Sequence, residues 1–166
     1  MCIAKGLTCG YLPLGGMMVT DKIAKAYNDD YLPLGLTYSA HPVCCAAALK
    51  NIEIFESEDI LGNVNKVTPY FQERLQRLSQ YPIVGDIRGM GLLGCIEGKP
   101  DQDGYTLAEE RKLGALLDEA CEEMGLLVRP LINMAVFSPP LVINLSQIDD
   151  MFDILEKALE KVSKSC

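Results

Sequence analysis

Lys5 lies in the run Ala4-Lys5-Gly6-Leu7-Thr8-Cys9-Gly10-Tyr11-Leu12-Pro13-Leu14-Gly15-Gly16, between a short strand-like apolar segment and a glycine-rich loop. An amine that leaves the end of a buried element is partly desolvated, which favours its neutral, nucleophilic form. Such an amine can attack an aldehyde, so Lys5 is a candidate Schiff-base lysine. Gly6, Gly10, Gly15 and Gly16 permit unusual backbone angles or the close approach of a cofactor that a Cβ would block. The competing reading is an ordinary solvated lysine near a chain terminus, the commoner state of this residue type.

Two other clusters carry chemistry. Leu36-Thr37-Tyr38-Ser39-Ala40-His41-Pro42 places three hydroxyls and the chain's single histidine just before an expected helix start, where free N–H groups and the helix dipole favour an anion such as phosphate. Ser39 or His41 could instead simply cap that helix. Arg129 sits between Leu126-Leu127-Val128 and Pro130, and a guanidinium beside an apolar strand calls for a planar partner such as a carboxylate, either a ligand's or an internal Asp or Glu. Gly89-Met90-Gly91-Leu92-Leu93-Gly94 matches a dinucleotide fingerprint, but Cys95-Ile96-Glu97-Gly98-Lys99-Pro100 cannot open the helix that fingerprint requires. Its glycines read better as strand positions that allow a bend or close packing. Asp86 and Arg88 read as turn and edge-strand charges.

The elements that must position these groups follow from periodicity. Ile148, Met151, Leu155, Ala158 and Val162 predict a C-terminal helix, with Ser146 as its cap and Asp149 three positions later. Leu61, Val64, Val67, Phe71, Leu75 and Leu78 predict another, and Leu113, Leu117, Ala120 and Met124 a third that Thr106 and Glu109 could open and Gly125 close. Strands are expected at Ile83-Val84 with Ile87, at 91–97, at 126–129 and at 135–137. Toward the N-terminus we expect a strand before Lys5, a second at 17–19, a helix from Asp21 to about Asn28, an irregular stretch through Gly35 and a helix restarting at Pro42 and running to Phe55. Pro82 and Gly85 mark a break between long helix and strand region. Repeats and low-complexity tracts are absent.

The chain has 166 residues, 49% of them hydrophobic, enough for one ordinary core and one or at most two domains. Fifteen basic against 23 acidic residues give a net charge of −8, which disfavours nucleic acid and anionic membrane as partners. Seven cysteines with no CxxC spacing point to reduced thiols and a cytoplasmic setting, not a disulfide framework or a zinc site. With one histidine, metal-centre and catalytic-triad readings start weak, and no metal is expected.

Taken in chain order, Ala4-Lys5-Gly6-Leu7-Thr8, the Gly10–Gly15 loop, Thr37 to Pro42 with Ala46-Ala47-Ala48-Leu49, Arg88 to Gly94, and Leu127-Val128-Arg129-Pro130 before Ser138-Pro139-Pro140-Leu141 closely resemble the C-terminal part of class III, omega-type aminotransferases. The resemblance covers almost the whole chain. It implies an α/β fold, the C-terminal part of the type I transferase fold that depends on pyridoxal 5′-phosphate: residues 1–58 as the tail of the large domain and 59–166 as a small α+β C-terminal domain. It further implies that Lys5 holds the cofactor as a Schiff base and then serves as the acid/base, that Thr37 binds the cofactor phosphate across a homodimer interface, and that Arg129 receives a substrate carboxylate. Two departures from the commoner pattern are Ala40, where glycine is frequent before His-Pro, and Leu131-Ile132-Asn133 in place of a more glycine-rich turn. The second puts the substrate-side geometry in question.

By the same resemblance, the aspartate that pairs with the pyridine nitrogen, the stacking aromatic and a phosphate-binding turn belong upstream of a chain that begins four residues before Lys5. This chain by itself is expected to be inactive and to expose apolar surface or cover it by self-association. The expected function is amino exchange between an amine or amino acid and a keto acid or aldehyde. The alternatives are a non-catalytic α/β dimerisation module and a related pyridoxal enzyme such as an aminomutase or decarboxylase.

Overall fold

The computed structural model describes residues 1–32, 35–99 and 107–164, the side chains of 107–113 excepted. The chain divides into two units, Met1–Ile60 and Leu61–Cys166. The capping pair Thr106 and Glu109 lies outside what is described.

In the first unit, β1 (Cys2–Ile3) pairs antiparallel with β2 (Gly16–Met17), Cys2 opposite Met17 and Ile3 opposite Gly16. The second strand thus lies earlier than the expected 17–19, because the ladder with β1 and not side-chain type fixes its bounds. α1 (Asp21–Lys25) stops short of Asn28. None of its residues is buried, and a helix this short has no intrinsic stability to extend it. α2 (Pro42–Ser57) starts at the proline as expected and buries Cys44 and Ala48. Many large apolar side chains of this unit are exposed, including Tyr11, Met17, Ile23, Tyr31, Leu36, Tyr38, Val43 and Leu49.

The second unit has a four-stranded antiparallel sheet in the order β3 (Val84–Met90), β4 (Leu93–Gly98), β6 (Met134–Phe137), β5 (Arg129–Leu131). Its helices are α3 (Ile60–Arg77), α4 (Leu107–Glu123) and α5 (Leu145–Ser163). Phe71 of α3, Phe137 of β6 and Phe152 of α5 meet at centroid separations of 5.3 to 6.1 Å in the centre of one apolar core. Pro69 lies inside α3 without ending it, since Val67, Phe71 and Leu75 around it are buried and tertiary packing outweighs the lost backbone bond.

Several local expectations are corrected. Asn144, not Ser146, caps α5: its side chain accepts from the Gln147 amide at 3.0 Å, while the Gln147 side chain accepts from the Asn144 amide at 3.1 Å. The extended backbone falls at Asn144, which places Ser146 already inside the helix. The strand expected at 126–129 begins only at Arg129, and Pro130 is tolerated there because β5 is an edge strand and its missing N–H breaks no ladder bond. Gly125, at φ +86°, closes α4 as expected, with the Leu126 amide donating to the Cys121 carbonyl.

The fingerprint-like glycines serve the turn and the packing of the sheet. Gly91, at φ +60°, turns the β3–β4 hairpin. A Cβ on Gly94 would lie 2.4 Å from the Phe137 ring opposite it, and one on Gly89 2.5 Å from Leu75. On the edge strand β3, Arg88 bridges Asp86 and Glu97.

Candidate active site

Lys5 opens a 3-10 turn, Lys5–Thr8, directly after β1. Its backbone is left-handed, φ +53°, a conformation uncommon for a residue with a Cβ and concentrated at functional sites. The expected desolvation is not met: Lys5 is exposed, because β1 is two residues long and pairs with an exposed strand that shields nothing. The turn itself is firmly built. The Leu7 amide donates to the Ala4 carbonyl at 3.2 Å, the Cys9 amide to Gly6 at 3.1 Å and the Tyr11 amide to Thr8 at 3.0 Å. The hydroxyl of Thr8, 2% exposed, donates to the Leu12 carbonyl and folds the loop back. Cys9 and Gly10, at φ +52° and +78°, make the reversal.

Ala4, Lys5 and the Gly10–Gly15 loop border an open depression of about 670 Å³. A Cβ built on Gly10, which lines this depression, would meet nothing within 4 Å. From α2, the Asn51 amide nitrogen donates to the carbonyls of Gly6 and Leu7. Nothing in the sequence singles out Asn51 or the Thr8 hydroxyl as partners of this loop; the packing of α2 on the turn reveals the first and the fold of the loop on itself the second.

Thr37 stands exposed in the turn that leads into α2. Neither Ser39 nor His41 caps the helix through its side chain: His41 occupies the cap position without a side-chain bond, and its carbonyl accepts from the Cys45 amide. The first-turn amides therefore have no side-chain acceptor among the described residues. Ala40 adopts φ +51°, which explains physically why a glycine suits the place before His-Pro.

Arg129 lies in the second unit, exposed on β5 and paired with Val136. Among the described residues no carboxylate pairs with it, which leaves the internal-partner reading without support. The hairpin that carries it turns through Ile132 at φ +60° and Asn133. Asn133 is buried and donates to the Gly98 carbonyl at 3.0 Å, which ties the turn to the end of β4. Gly114 of α4 packs so close that a Cβ there would lie 1.9 Å from the Ile132 carbonyl oxygen. The first unit thus carries Lys5 and Thr37, and the second carries Arg129.

Residues 1–159 match the family model described as aminotransferase class-III. The chain is 40% identical over 168 residues to a putrescine–pyruvate aminotransferase of Pseudomonas aeruginosa, an alignment that takes in 98% of this chain and 36% of that protein. Among solved structures it superimposes on a thermostable (S)-enantioselective omega-transaminase from Thermomicrobium roseum with a TM-score of 0.87 and 37% identity, over 97% of this chain and 37% of that one. An amine transaminase from an uncultivated Pseudomonas species in its PLP-bound form gives a TM-score of 0.87 at 35% identity, over 97% and 38% of the respective chains. The chain spans about a third of the length of the curated relatives it matches.

Proposed function

The chain belongs to the class III aminotransferases, and from that premise we propose that it is the part of a pyridoxal 5′-phosphate-dependent transaminase that carries the Schiff-base lysine, Lys5. The reaction is the exchange of an amino group between an amine or amino acid and a keto acid or aldehyde. One observation carries the assignment: Lys5 holds a left-handed backbone at the edge of an open, glycine-bordered depression, in a turn whose carbonyls and amides are bonded. The room left by Gly10 in the depression and the exposed amine fit an aromatic aldehyde cofactor.

When bound, pyridoxal 5′-phosphate supplies the electron sink for breaking a Cα–H bond. Lys5 would hold this group through its amine and, once released, would serve as the acid/base that moves the proton taken from the substrate Cα. The Thr37 hydroxyl binds phosphate beside the start of α2, where the dipole favours an anion, and does so in the partner's site of a homodimer. Arg129, unpaired among the described residues, clamps a substrate carboxylate such as that of a pyruvate-like keto acid. Residues 1–58 belong with the large domain and residues 59–166 form the small domain. The six free cysteines among the described residues suit a reducing, cytoplasmic setting. Among the described residues, no helix is long and apolar enough to cross a membrane.

The test is covalent capture. After incubation with pyridoxal 5′-phosphate and reduction with borohydride, peptide mapping should place the pyridoxyl group on Lys5 in preference to Lys22 and Lys25, and Lys5→Ala should remove the associated absorption band. Label spread evenly over the surface lysines would sink the proposal.

A further inference from the structure

A left-handed lysine persists only where its surroundings fix the peptide planes on both sides. On the N-terminal side of Lys5, β1 pairs with β2 and the Ala4 carbonyl accepts from the Leu7 amide. On the C-terminal side the hold comes from far along the chain. Asn51 Nδ2, on α2 and 45 residues from Gly6, donates to the Gly6 carbonyl at 3.0 Å and to the Leu7 carbonyl at 3.2 Å. The Gly6 oxygen also accepts from the Cys9 amide at 3.1 Å, so both of its lone pairs are engaged. Among the described residues no other side chain donates to the carbonyls of residues 5–8. Gly6 itself has open space where a Cβ would be and so contributes no packing of its own.

We infer that Asn51 is a positioning residue for Lys5: by fixing the Gly6–Leu7 and Leu7–Thr8 peptide planes, the second and third after the lysine, its amide holds the turn that sets the direction in which the amine leaves the backbone. The inference rests on the Lys5 reading above. An amide is required and a hydroxyl would not suffice, because one nitrogen must supply two donors to two carbonyls. A carboxylate of the same shape would set its charge against both oxygens.

The experiment compares the unsubstituted chain with Asn51→Asp, Asn51→Leu and Asn51→Gln, each with pyridoxal 5′-phosphate at a sub-saturating concentration, borohydride reduction and peptide mapping. Amide hydrogen exchange of residues 4–12 is followed in parallel without the cofactor. In Asn51→Asp and Asn51→Leu we expect exchange in 4–12 to rise about tenfold with that of the Phe71 and Phe152 segments unchanged, as loss of a hydrogen-bonded tie implies. Capture at Lys5 should fall about tenfold relative to Lys22 and Lys25, and Asn51→Gln, which keeps the donor, should restore most of it. If Asn51→Leu fails to fold, exchange rises throughout and Asn51→Asp carries the comparison. Capture at Lys5 unchanged in Asn51→Asp overturns the inference, even if exchange rises, since Asn51 would then only stabilise. No preference for Lys5 in the unsubstituted chain overturns the proposed function and this inference with it, a failure distinguishable because it is read without any substitution.

Discussion

Ile132 and Gly91 hold the same place in the two hairpins of the four-stranded sheet, each the first of two loop residues, and both sit at φ +60°. Glycine adopts this angle without steric penalty, whereas a β-branched residue is strained there by roughly 1–3 kcal/mol. The turn persists because Asn133 anchors it to β4 and α4 approaches it at Gly114.

Replacing Ile132 by glycine should therefore stabilise the second unit. Ile132 is 46% exposed, so little buried area is lost. Set against the extra freedom glycine gives the unfolded chain, a net gain of about 0.5–1 kcal/mol is expected. A urea midpoint that falls on Ile132→Gly would show that the isoleucine side chain contributes more than its backbone angle costs.

Arg74 ties α3 to α5. Its guanidinium bonds to Asp149, to Asp153 at 2.7 Å and to Glu156 at 3.4 Å, lies 5.5 Å from the centroid of the Phe152 ring and shares Asp149 with the Tyr70 hydroxyl. Burial pulls its pKa down, but the Asp153 hydrogen bond and nearby Glu156 outweigh this and hold it above the ordinary value. Arg74→Met leaves three acids facing one another. Because they remain partly exposed, the expected loss is about 2 kcal/mol, below that for a fully buried pair. Added salt should recover part of the loss by screening. Chemical denaturation at low and high ionic strength checks both statements, and an unchanged midpoint would rule out the cluster as a tie between the helices.

Cys121 makes stability sensitive to alkali. Burial, with a smaller contribution from Asp118, pushes its thiol up to about 12. An unfolded thiol ionises near about 8.5, so above that pH the unfolded state sheds a proton that the folded state keeps. The contribution is fully present below the unfolded value and is lost as pH rises toward the folded one, at about 1.4 kcal/mol per pH unit. Cys121→Ala should lower stability at neutral pH by about 1 kcal/mol through lost packing, yet flatten the decline between pH ~9 and ~11. Parallel denaturant titrations at two pH values decide it; equal slopes in both proteins would sink the idea.

Local pattern alone determined much of this protein. The apolar spacing of Val67, Phe71 and Leu75 and of Ile148, Met151 and Leu155 specified two helices and their buried faces, Pro42 set the start of α2, and Gly125 the end of α4. The ordered motifs around Lys5, Thr37 and Arg129 named the family that the matched model shows. What the tertiary structure alone decided are relations across long separations. Gly94 is small because Phe137 lies opposite it, Asp149 meets Arg74 instead of supporting a cap at Ser146, and Asn51 reaches the turn of Lys5. The physical reason is that periodicity and capping are written within one turn or one pleat of backbone. A glycine demanded by a neighbouring ring, or an amide shared by two distant carbonyls, leaves no local trace until the elements are packed.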